Sequence, residues 1–235
     1  MIRKKCKYCG KHFSPGYKKQ KFCSVACANK FNCNNTNQFI IPRSKNTELA
    51  ELFGVLLGDG SVNQYFMKIY CNAVADKGYP NALLKIISKA LPKTNPTVVL
   101  RPDRGTVEIQ ISSKKVCDYL RKIGFDPKNR SIPGWILKIK KYEIATIRGL
   151  FDTEGSIGIK KYKGKKGIYL YKQLTFTNKN RNLLTFVENT LIKLGFSPTK
   201  NARTNIYLSN KEDIKKYFWL VGTNNPKLVK KNKIQ

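Results

Sequence analysis

Two stretches of this chain share one pattern, and their repetition constrains the fold more than any other feature. Residues 52–60 read Leu-Phe-Gly-Val-Leu-Leu-Gly-Asp-Gly, and residues 147–155 read Ile-Arg-Gly-Leu-Phe-Asp-Thr-Glu-Gly. Each copy closes on an acid followed by glycine and carries small residues four positions apart: Gly54 and Gly58, then Gly149 and Thr153. Residues at this spacing share one face of a helix. We therefore predict two helices that pack closely through their small-residue faces.

This packing predicts a pair of acids at one end of the two helices. Asp59 and Glu154 would lie side by side, and each following glycine would end its helix in the left-handed conformation. Carboxylates at helix C-termini oppose each other's ionisation and meet the negative ends of both helix dipoles. A divalent cation with oxygen ligands, Mg²⁺ by default, relieves both effects and suits metal-assisted phosphodiester hydrolysis. The alternative is that an acid and a glycine simply end a helix, as a single copy usually does.

The charge of the chain indicates a polyanionic partner. There are 46 Lys and Arg residues against 14 Asp and Glu, which gives a formal net charge of +32. No apolar run reaches the length of a spanning helix, and no signal-peptide core follows the first methionine, so we expect an intracellular protein with no membrane partner. Nucleic acid fits better than anionic lipid, because the positive charges are spread along the chain and interleaved with 12 tyrosines.

Residues 1–33 predict a separate zinc-binding module. Four cysteines are spaced as two short pairs: Cys6, Cys9, Cys23 and Cys27. Thiolates at this spacing hold Zn²⁺ tetrahedrally, and so short a segment has no core without the metal. If Cys27 or Cys9 is not a ligand, His12 or Cys33 is the substitute. Residues 34–46 read as a polar linker.

The rest of the chain predicts an α+β fold made of two similar halves, 47–140 and 141–235. In each half the motif helix precedes two strands, a helix, two strands and a helix. The predicted elements are a helix from Thr47, its N-cap, to about 58, strands within 61–72, a helix at 80–91, strands at 97–100 and 106–112 and a helix up to Gly124, then strands at 156–162 and 168–177, a helix at 180–194, strands at 197–201 and 204–209 and a helix at 211–221. A pseudo-twofold axis through the motif helices would relate two four-stranded antiparallel sheets that form a long saddle, and we expect a monomer.

Residues 47–235 resemble the LAGLIDADG homing endonuclease family in its single-chain, two-motif form. The chain departs from the consensus at the second motif residue, where Phe53 and Arg148 replace small residues, and at Leu57 and Gly58, which replace an acid and a small residue. The resemblance implies the αββαββα unit twice, with two sheets straddling the major groove of double-stranded DNA. It also implies cleavage of both strands of a long, asymmetric site across the minor groove.

The resemblance assigns the metal-binding carboxylates to Asp59 and Glu154 and places a basic residue near each of them. The candidates are Lys128 or Arg130 in the first half and Lys227 or Lys230 in the second. Lys128 and Lys227 are the working prediction, and the residues leave both pairs open. Such a cation would stabilise charge on the phosphate or polarise the attacking water.

Base recognition is predicted on polar and aromatic side chains of the strands, which can hydrogen-bond base edges. These are Asn63, Gln64, Tyr65, Lys68, Tyr70, Asn72, Lys160, Tyr162, Tyr169, Tyr171, Gln173 and Thr175. Strand alternation turns about half of such positions inward, and the pattern does not say which half.

Two alternatives share the fold and the charge. One is a maturase that binds intron RNA, and the other is a sequence-specific DNA-binding protein that does not cut. Two acids retained beside phosphate favour the nuclease, because carboxylates without a metal repel phosphate. The abundance of Lys, Asn and Ile is typical of an AT-rich genome, such as that of an organelle or a phage.

The module at 1–33 is predicted to bind DNA that flanks the cleavage site, because it is rich in lysine and a linker of about fifteen residues reaches tens of ångströms. Deleting residues 1–33 is expected to remove flanking protection in a footprint and to leave cleavage intact. A footprint unchanged by the deletion would show that the module stabilises the protein or contacts another protein instead.

Overall fold

The structure is a computed structural model that describes residues 3–35, 39–164, 167–201 and 204–233. In chain order its elements are β1 (Lys4–Lys5), β2 (His12–Phe13), α1 (Val25–Asn35), α2 (Thr47–Asp59), β3 (Gly60–Val62), β4 (Phe66–Asn72), α3 (Tyr79–Ala90), β5 (Thr97–Arg101), a 3-10 turn (Pro102–Arg104), β6 (Thr106–Ser112), α4 (Lys114–Lys122), α5 (Gly134–Leu137), α6 (Lys140–Glu154), β7 (Gly155–Gly164), β8 (Gly167–Thr177), α7 (Arg181–Lys193), β9 (Thr199–Asn201), β10 (Asn205–Leu208), α8 (Lys211–Leu220) and α9 (Pro226–Lys233). The αββαββα order therefore occurs twice, and the predicted fold class is confirmed.

Each half contains a four-stranded antiparallel sheet with the same strand order. The sheets run β3-β4-β6-β5 and β7-β8-β10-β9. Gly60 pairs with Ile69 in the first sheet, and Gly155 pairs with Phe176 in the second, so the residue after each acid begins the first strand of its sheet. The sheets therefore start directly at the ends of the motif helices.

One face of each sheet packs against the helices. Met67, Ile69 and Cys71 of β4 are buried, as are Leu174 and Phe176 of β8. The intervening side chains point away from the core because strand residues alternate. Each half therefore buries one sheet face and leaves the other available for a partner.

The motif helices α2 and α6 pack against each other at backbone distance. A Cβ atom added at Gly54 would lie 2.2 Å from the carbonyl oxygen of Thr146, and one added at Gly149 would lie 2.3 Å from that of Glu51. At Gly58 the added atom would lie 2.1 Å from Thr153 Oγ1. The predicted small-residue interface is therefore confirmed.

The predicted left-handed helix ends are wrong. Gly60 has φ −105° and Gly155 has φ −86°, which is extended backbone. A Cβ atom at Gly60 would lie 2.5 Å from Leu56 Cα, and one at Gly155 would lie 2.2 Å from the carbonyl oxygen of Phe151. Glycine is needed there because the chain leaves each helix against its own last turn and enters a strand at once.

The predicted N-cap of the first motif helix also needs correction. Asn46, not Thr47, caps α2, because its Oδ1 accepts from Leu49 N at 2.8 Å. Within the predicted linker, Phe39 is buried and its ring lies 5.4 Å from that of Tyr119. The linker residues 36–38 lie outside the described part of the chain.

Three helices were not predicted from the sequence. They are α1, α5 and α9, and α6 begins at Lys140, next to the predicted boundary between the halves. Helix α5 has a single turn, and α9 is a short basic segment, so neither shows a long apolar period. Within the described residues, no helix combines the length and apolar character needed to cross a bilayer.

Replacing Gly54 by alanine is expected to destabilise the protein by about 3 kcal/mol or more, because its Cβ would overlap a backbone carbonyl that cannot move alone. Chemical denaturation measures the change. Gly134→Ala is the matched control, since a Cβ there meets nothing within 4 Å. Equal stability of the two variants would show that the helices do not approach this closely.

Candidate functional site

The paired acids lie at the last residues of α2 and α6. The helices converge there, since a Cβ atom at Gly58 would lie 3.3 Å from Glu154 Cγ. The tight backbone contact upstream permits this convergence, because Gly54 and Gly149 carry no side chain that would hold the helices apart. Asp59 and Glu154 are therefore brought together, as the duplicated motif predicted.

Both acids are harder to ionise than ordinary carboxyl groups. Partial burial and the nearby charge of Asp76 raise the pKa of Asp59, although Lys227 and Arg130 oppose the rise. Partial burial and the charge of Asp59 raise the pKa of Glu154, although Arg130 and a hydrogen bond from Asn178 oppose it. Burial and a neighbouring carboxylate therefore act together against the charged form of each acid.

Arg130 lies beneath the paired helix ends. Its Nη1 donates to the carbonyl oxygens of Leu57 at 3.0 Å and Gly58 at 3.4 Å, which terminate α2. Its φ of +48° lies in the left-handed region, where non-glycine residues are uncommon. Arg130 therefore supplies positive charge near both acids. Its backbone conformation is strained, and strain of this kind is concentrated at functional sites.

Lys227 begins the last helix and lies on the Asp59 side. Its Nζ pairs with Asp76 Oδ1 at 3.0 Å, and its side chain is 20% exposed. The carboxyl of Asp76 also accepts from Asn225 Nδ2 at 2.9 Å. Although burial alone would raise the pKa of Asp76, the contacts with Asn225 and Lys227 lower it, so Asp76 carries its charge.

Asn178 lies on the Glu154 side, just after β8. Its Nδ2 donates to Glu154 Oε1 at 3.0 Å. By register Asn178 corresponds to Cys71 of the first half, because Phe176 and Ile69 face the two equivalent glycines. The two acids thus have different neighbours, an amide beside Glu154 and a lysine with a third carboxylate near Asp59.

A buried polar network joins the two halves away from these acids. Arg148 Nη2 pairs with the buried carboxylate of Glu51 at 2.9 Å. Burial raises the pKa of Asp152 to about 7, although hydrogen bonds from the Thr223 hydroxyl and the Asn224 amide oppose the rise. This network anchors the loop that leads into α9 and therefore helps to place Lys227.

The first sheet presents its outward face next to Asp59. Lys68, Tyr70 and Asn72 of β4 share that face, because the alternating residues of the strand are buried. Lys68 Nζ lies 3.3 Å from Glu108 Oε2, and Arg101 Nε lies 3.5 Å from Glu108 Oε1. Glu108 thus holds two cationic side chains over the middle of the sheet.

The other predicted residues of the first half lie in the turn between β3 and β4. Asn63, Gln64 and Tyr65 are exposed there. Asn63 Oδ1 accepts from the backbone amides of Tyr65 at 2.9 Å and Phe66 at 2.8 Å. These residues are therefore exposed at the turn that closes one end of the first sheet.

In the second sheet all six predicted residues lie on one face. The register pairs Lys160 with Tyr171 and Tyr162 with Tyr169. Gln173 and Thr175 continue the same alternate positions along β8. A groove on this face is lined by Ser156, Gly158, Lys160, Tyr171, Gln173, Thr175 and, from α9, Lys231.

The structure separates the members of the two basic pairs. Lys128 is exposed, and its backbone amide donates to Asp126 Oδ1 at 2.8 Å. Lys230 is also exposed, one turn along α9 from Lys227. Arg130 and Lys227 are thus the members whose charges act on the acids. Asp76, Asn178 and Glu108 were not predicted, because only the fold carries them to the site.

The four cysteines of the amino-terminal module come together. The Sγ atoms of Cys6, Cys9, Cys23 and Cys27 lie within 4.8 Å of one another. The Cys9–Cys23 and Cys23–Cys27 sulphur separations are 3.6 Å and 3.5 Å, close to the edge of about 3.8 Å expected for four sulphurs around Zn²⁺. His12 lies in β2, outside this group, and the side chain of Cys33 lies outside the described residues.

The module's backbone favours a thiolate. Burial opposes ionisation of Cys6, but hydrogen bonds from the backbone of Cys9, Cys23 and Tyr8 lower its pKa to about 6. The adjacent sulphurs of Cys27 and Cys9 raise the pKa of Cys23 to about 12. A metal cation removes this conflict, because it replaces the protons that four clustered thiols otherwise keep.

Part of the chain matches the model of a known protein family. Residues 141–222 match the family described as LAGLIDADG-like domain. This match covers α6 through α8, the second αββαββα unit, and includes Glu154. The first unit repeats the same elements without being part of the matched range.

Solved structures share the fold at low sequence identity. I-DmoI in complex with DNA and Mn is 22% identical with a TM-score of 0.53, over 75% of this chain and 96% of that one. The LAGLIDADG meganuclease I-AabMI bound to uncleaved DNA is 11% identical with a TM-score of 0.51, over 73% and 82%. Full-length DUF199/WhiA from Thermatoga maritima is 14% identical with a TM-score of 0.55, over 83% and 61%.

A curated relative is an uncharacterized protein of Methanocaldococcus jannaschii. It is 29% identical over 159 residues, which is 63% of this chain. The chain spans about half of that protein, 54% of its length.

One zinc ion per chain is expected in protein purified without chelator, measured by elemental analysis, because four thiols converge on one point. Cys9→Ser is expected to reduce zinc content severalfold, since a structural site needs its four ligands. Cys117→Ser is the matched control, because Cys117 is buried in the core away from the module. Zinc content that is zero in the wild type, or equal in both variants, would contradict the assignment.

Proposed function

We propose that this protein is a site-specific DNA endonuclease that makes a double-strand cut in a long, asymmetric target with the help of a divalent metal ion. The observation that carries the proposal is the convergence of Asp59 and Glu154 at the ends of two helices in backbone contact. The acids lie where the two antiparallel sheets begin. A phosphodiester held against both sheets would therefore lie next to both carboxylates.

The sheets suit double-stranded DNA as the partner. Their outward faces carry lysine, tyrosine and amide side chains, which contact phosphates and base edges in the major groove. The net charge of +32 supplies the attraction to phosphate that dominates affinity. I-DmoI and I-AabMI, which share this fold, were solved with DNA bound.

The acids fit a hard divalent cation such as Mg²⁺. They offer carboxylate oxygens, and a bound cation would offset the burial and the carboxylate repulsion that raise the pKa values of Asp59 and Glu154. When bound, such an ion polarises a phosphoryl oxygen and lowers the pKa of bound water. I-DmoI structures were solved in the presence of Mn and Mg, which supports this choice.

The chain's own residues orient and neutralise the phosphate. Hydrolysis forms one bond from a water oxygen to phosphorus and breaks one bond from phosphorus to a sugar oxygen, which takes up a proton. Arg130 and Lys227 stand beside the acids and would donate to the oxygens on which charge develops. Asn178 holds the carboxylate of Glu154 in place through its amide.

The amino-terminal module would lengthen the stretch of DNA that the protein contacts. Its zinc site would fold the segment, and the lysines around Lys4, Lys18 and Lys21 would contact flanking phosphates. The module therefore adds affinity outside the cleaved sequence, while the two sheets supply recognition at its centre.

The test is cleavage of a randomised plasmid library with Mg²⁺. Wild type is expected to cut at one long sequence. Asp59→Asn and Glu154→Gln are each expected to lower the cleavage rate about a thousandfold or more. Each substitution removes a carboxylate ligand of the metal ion, whose charge would stabilise the transition state. Asp118→Asn and Glu212→Gln make the same chemical changes at exposed positions on α4 and α8 and should cut normally.

Thermal unfolding without divalent metal separates loss of function from loss of fold. The pKa of Asp59 is raised in the native state, which means that the fold disfavours the ionised carboxylate. The negative charge of Asp59 therefore lowers the free energy of unfolding once the pH exceeds the pKa of Asp59 in the unfolded state. Asp59→Asn should therefore melt no lower than wild type. Tight binding of DNA without cutting by any variant would show a DNA-binding protein instead of a nuclease. Tight binding of a folded intron RNA without DNA cutting would show a maturase.

A further inference from the structure

One carboxylate near the paired acids belongs to neither motif. Asp76 lies in the loop between β4 and α3 and is 9% exposed. Its Oδ1 receives Lys227 Nζ at 3.0 Å and Asn225 Nδ2 at 2.9 Å, while its Oδ2 accepts from the backbone amide of Asn72 at 2.9 Å. Both oxygens of Asp76 are therefore engaged within the protein.

Asn225 completes the arrangement from the other side. It is fully buried, and its Nδ2 also donates to the carbonyl oxygen of Asp152 at 2.8 Å. Its Oδ1 accepts from the backbone amide of Lys227 at 3.0 Å, as the side chain at a helix N-cap does. Asn225 thus fixes the backbone of Lys227 and the carboxylate that holds its ammonium group.

We infer that Asp76 is a positioning residue that holds Lys227 beside Asp59 and makes the two halves of the site unequal. This inference rests on the proposed function. Lys227 and Asp76 act on Asp59, whereas Glu154 has Asn178 beside it. The two strands of the target should therefore depend differently on Lys227.

A role for Asp76 as a third metal ligand fits less well. Each of its oxygens already accepts hydrogen bonds from the protein, and one of them is paired with an ammonium group. A ligand oxygen would have to give up these partners. The geometry instead favours action through Lys227.

A double-mutant cycle tests this inference. The target duplex carries a different fluorophore on each strand, and single-turnover nicking of each strand is measured for wild type, Asp76→Asn, Lys227→Met and the double variant. Lys227→Met is expected to slow one strand about a hundredfold. Asp76→Asn should slow the same strand about tenfold, and the double variant should match Lys227→Met, because Asp76 acts through Lys227.

Two controls separate charge from position. Asp118→Asn removes an exposed acid from α4, and Lys215→Met removes an exposed base from α8, so both leave the site intact. Both should nick as the wild type does. If the losses of Asp76→Asn and Lys227→Met multiply in the double variant, or if Asp76→Asn slows both strands equally and lowers the melting temperature, the positioning role is overturned.

Chemical labelling gives a readout that needs no cleavage. Lys227 should react slowly with acetic anhydride in the full-length wild type, because its ammonium group is paired and mostly buried. Asp76→Asn should accelerate acetylation of Lys227 severalfold and leave that of Lys230 unchanged, as measured by peptide mass spectrometry. Equal labelling in both proteins overturns the inference. A wild type that protects Lys227 but cuts no DNA overturns the proposed function and leaves the positioning role standing.

Discussion

The close approach of α2 and α6 is the constraint on which the rest of this structure depends. Gly54 and Gly149 face the opposite helix's carbonyl oxygens at distances that exclude any side chain. This contact joins the two halves along their pseudo-twofold relationship and brings the ends of both helices to one place. The position of the paired acids follows from it, because both acids are the last residues of these helices and both first strands begin directly after them.

Convergence creates an electrostatic cost that the surrounding residues only partly offset. Asp59 and Glu154 are partly buried and repel each other, and Arg130 and Lys227 supply positive charge nearby. Such a balance resembles other sites where charges are held in an unfavourable arrangement until a ligand arrives. The site is also asymmetric, because the two acids have different neighbours although the two halves share one fold.

Much of the architecture was predictable from the sequence, and the exceptions have local causes. Alternation and helical spacing predicted the strands and the longer helices within a few residues, and cysteine spacing predicted the sulphur cluster. The glycines after the acids were assigned the wrong conformation, because an acid followed by glycine is compatible both with a left-handed helix end and with a direct entry into a strand. Helix α9 was missed because its eight residues, half of them lysine, show no clear period.

The sequence by itself determined the two motif helices, their small-residue faces and the identity of the paired acids, because these depend on residues a few positions apart. Only the tertiary structure decided which basic residues act on those acids and which further carboxylate joins them. Asp76 and Lys227 are far apart along the chain, and they meet at 3.0 Å where the buried Asn225, which precedes α9, also donates to Asp76. Contacts between residues that are distant in sequence leave no periodic signal, so they can be identified only from the tertiary structure.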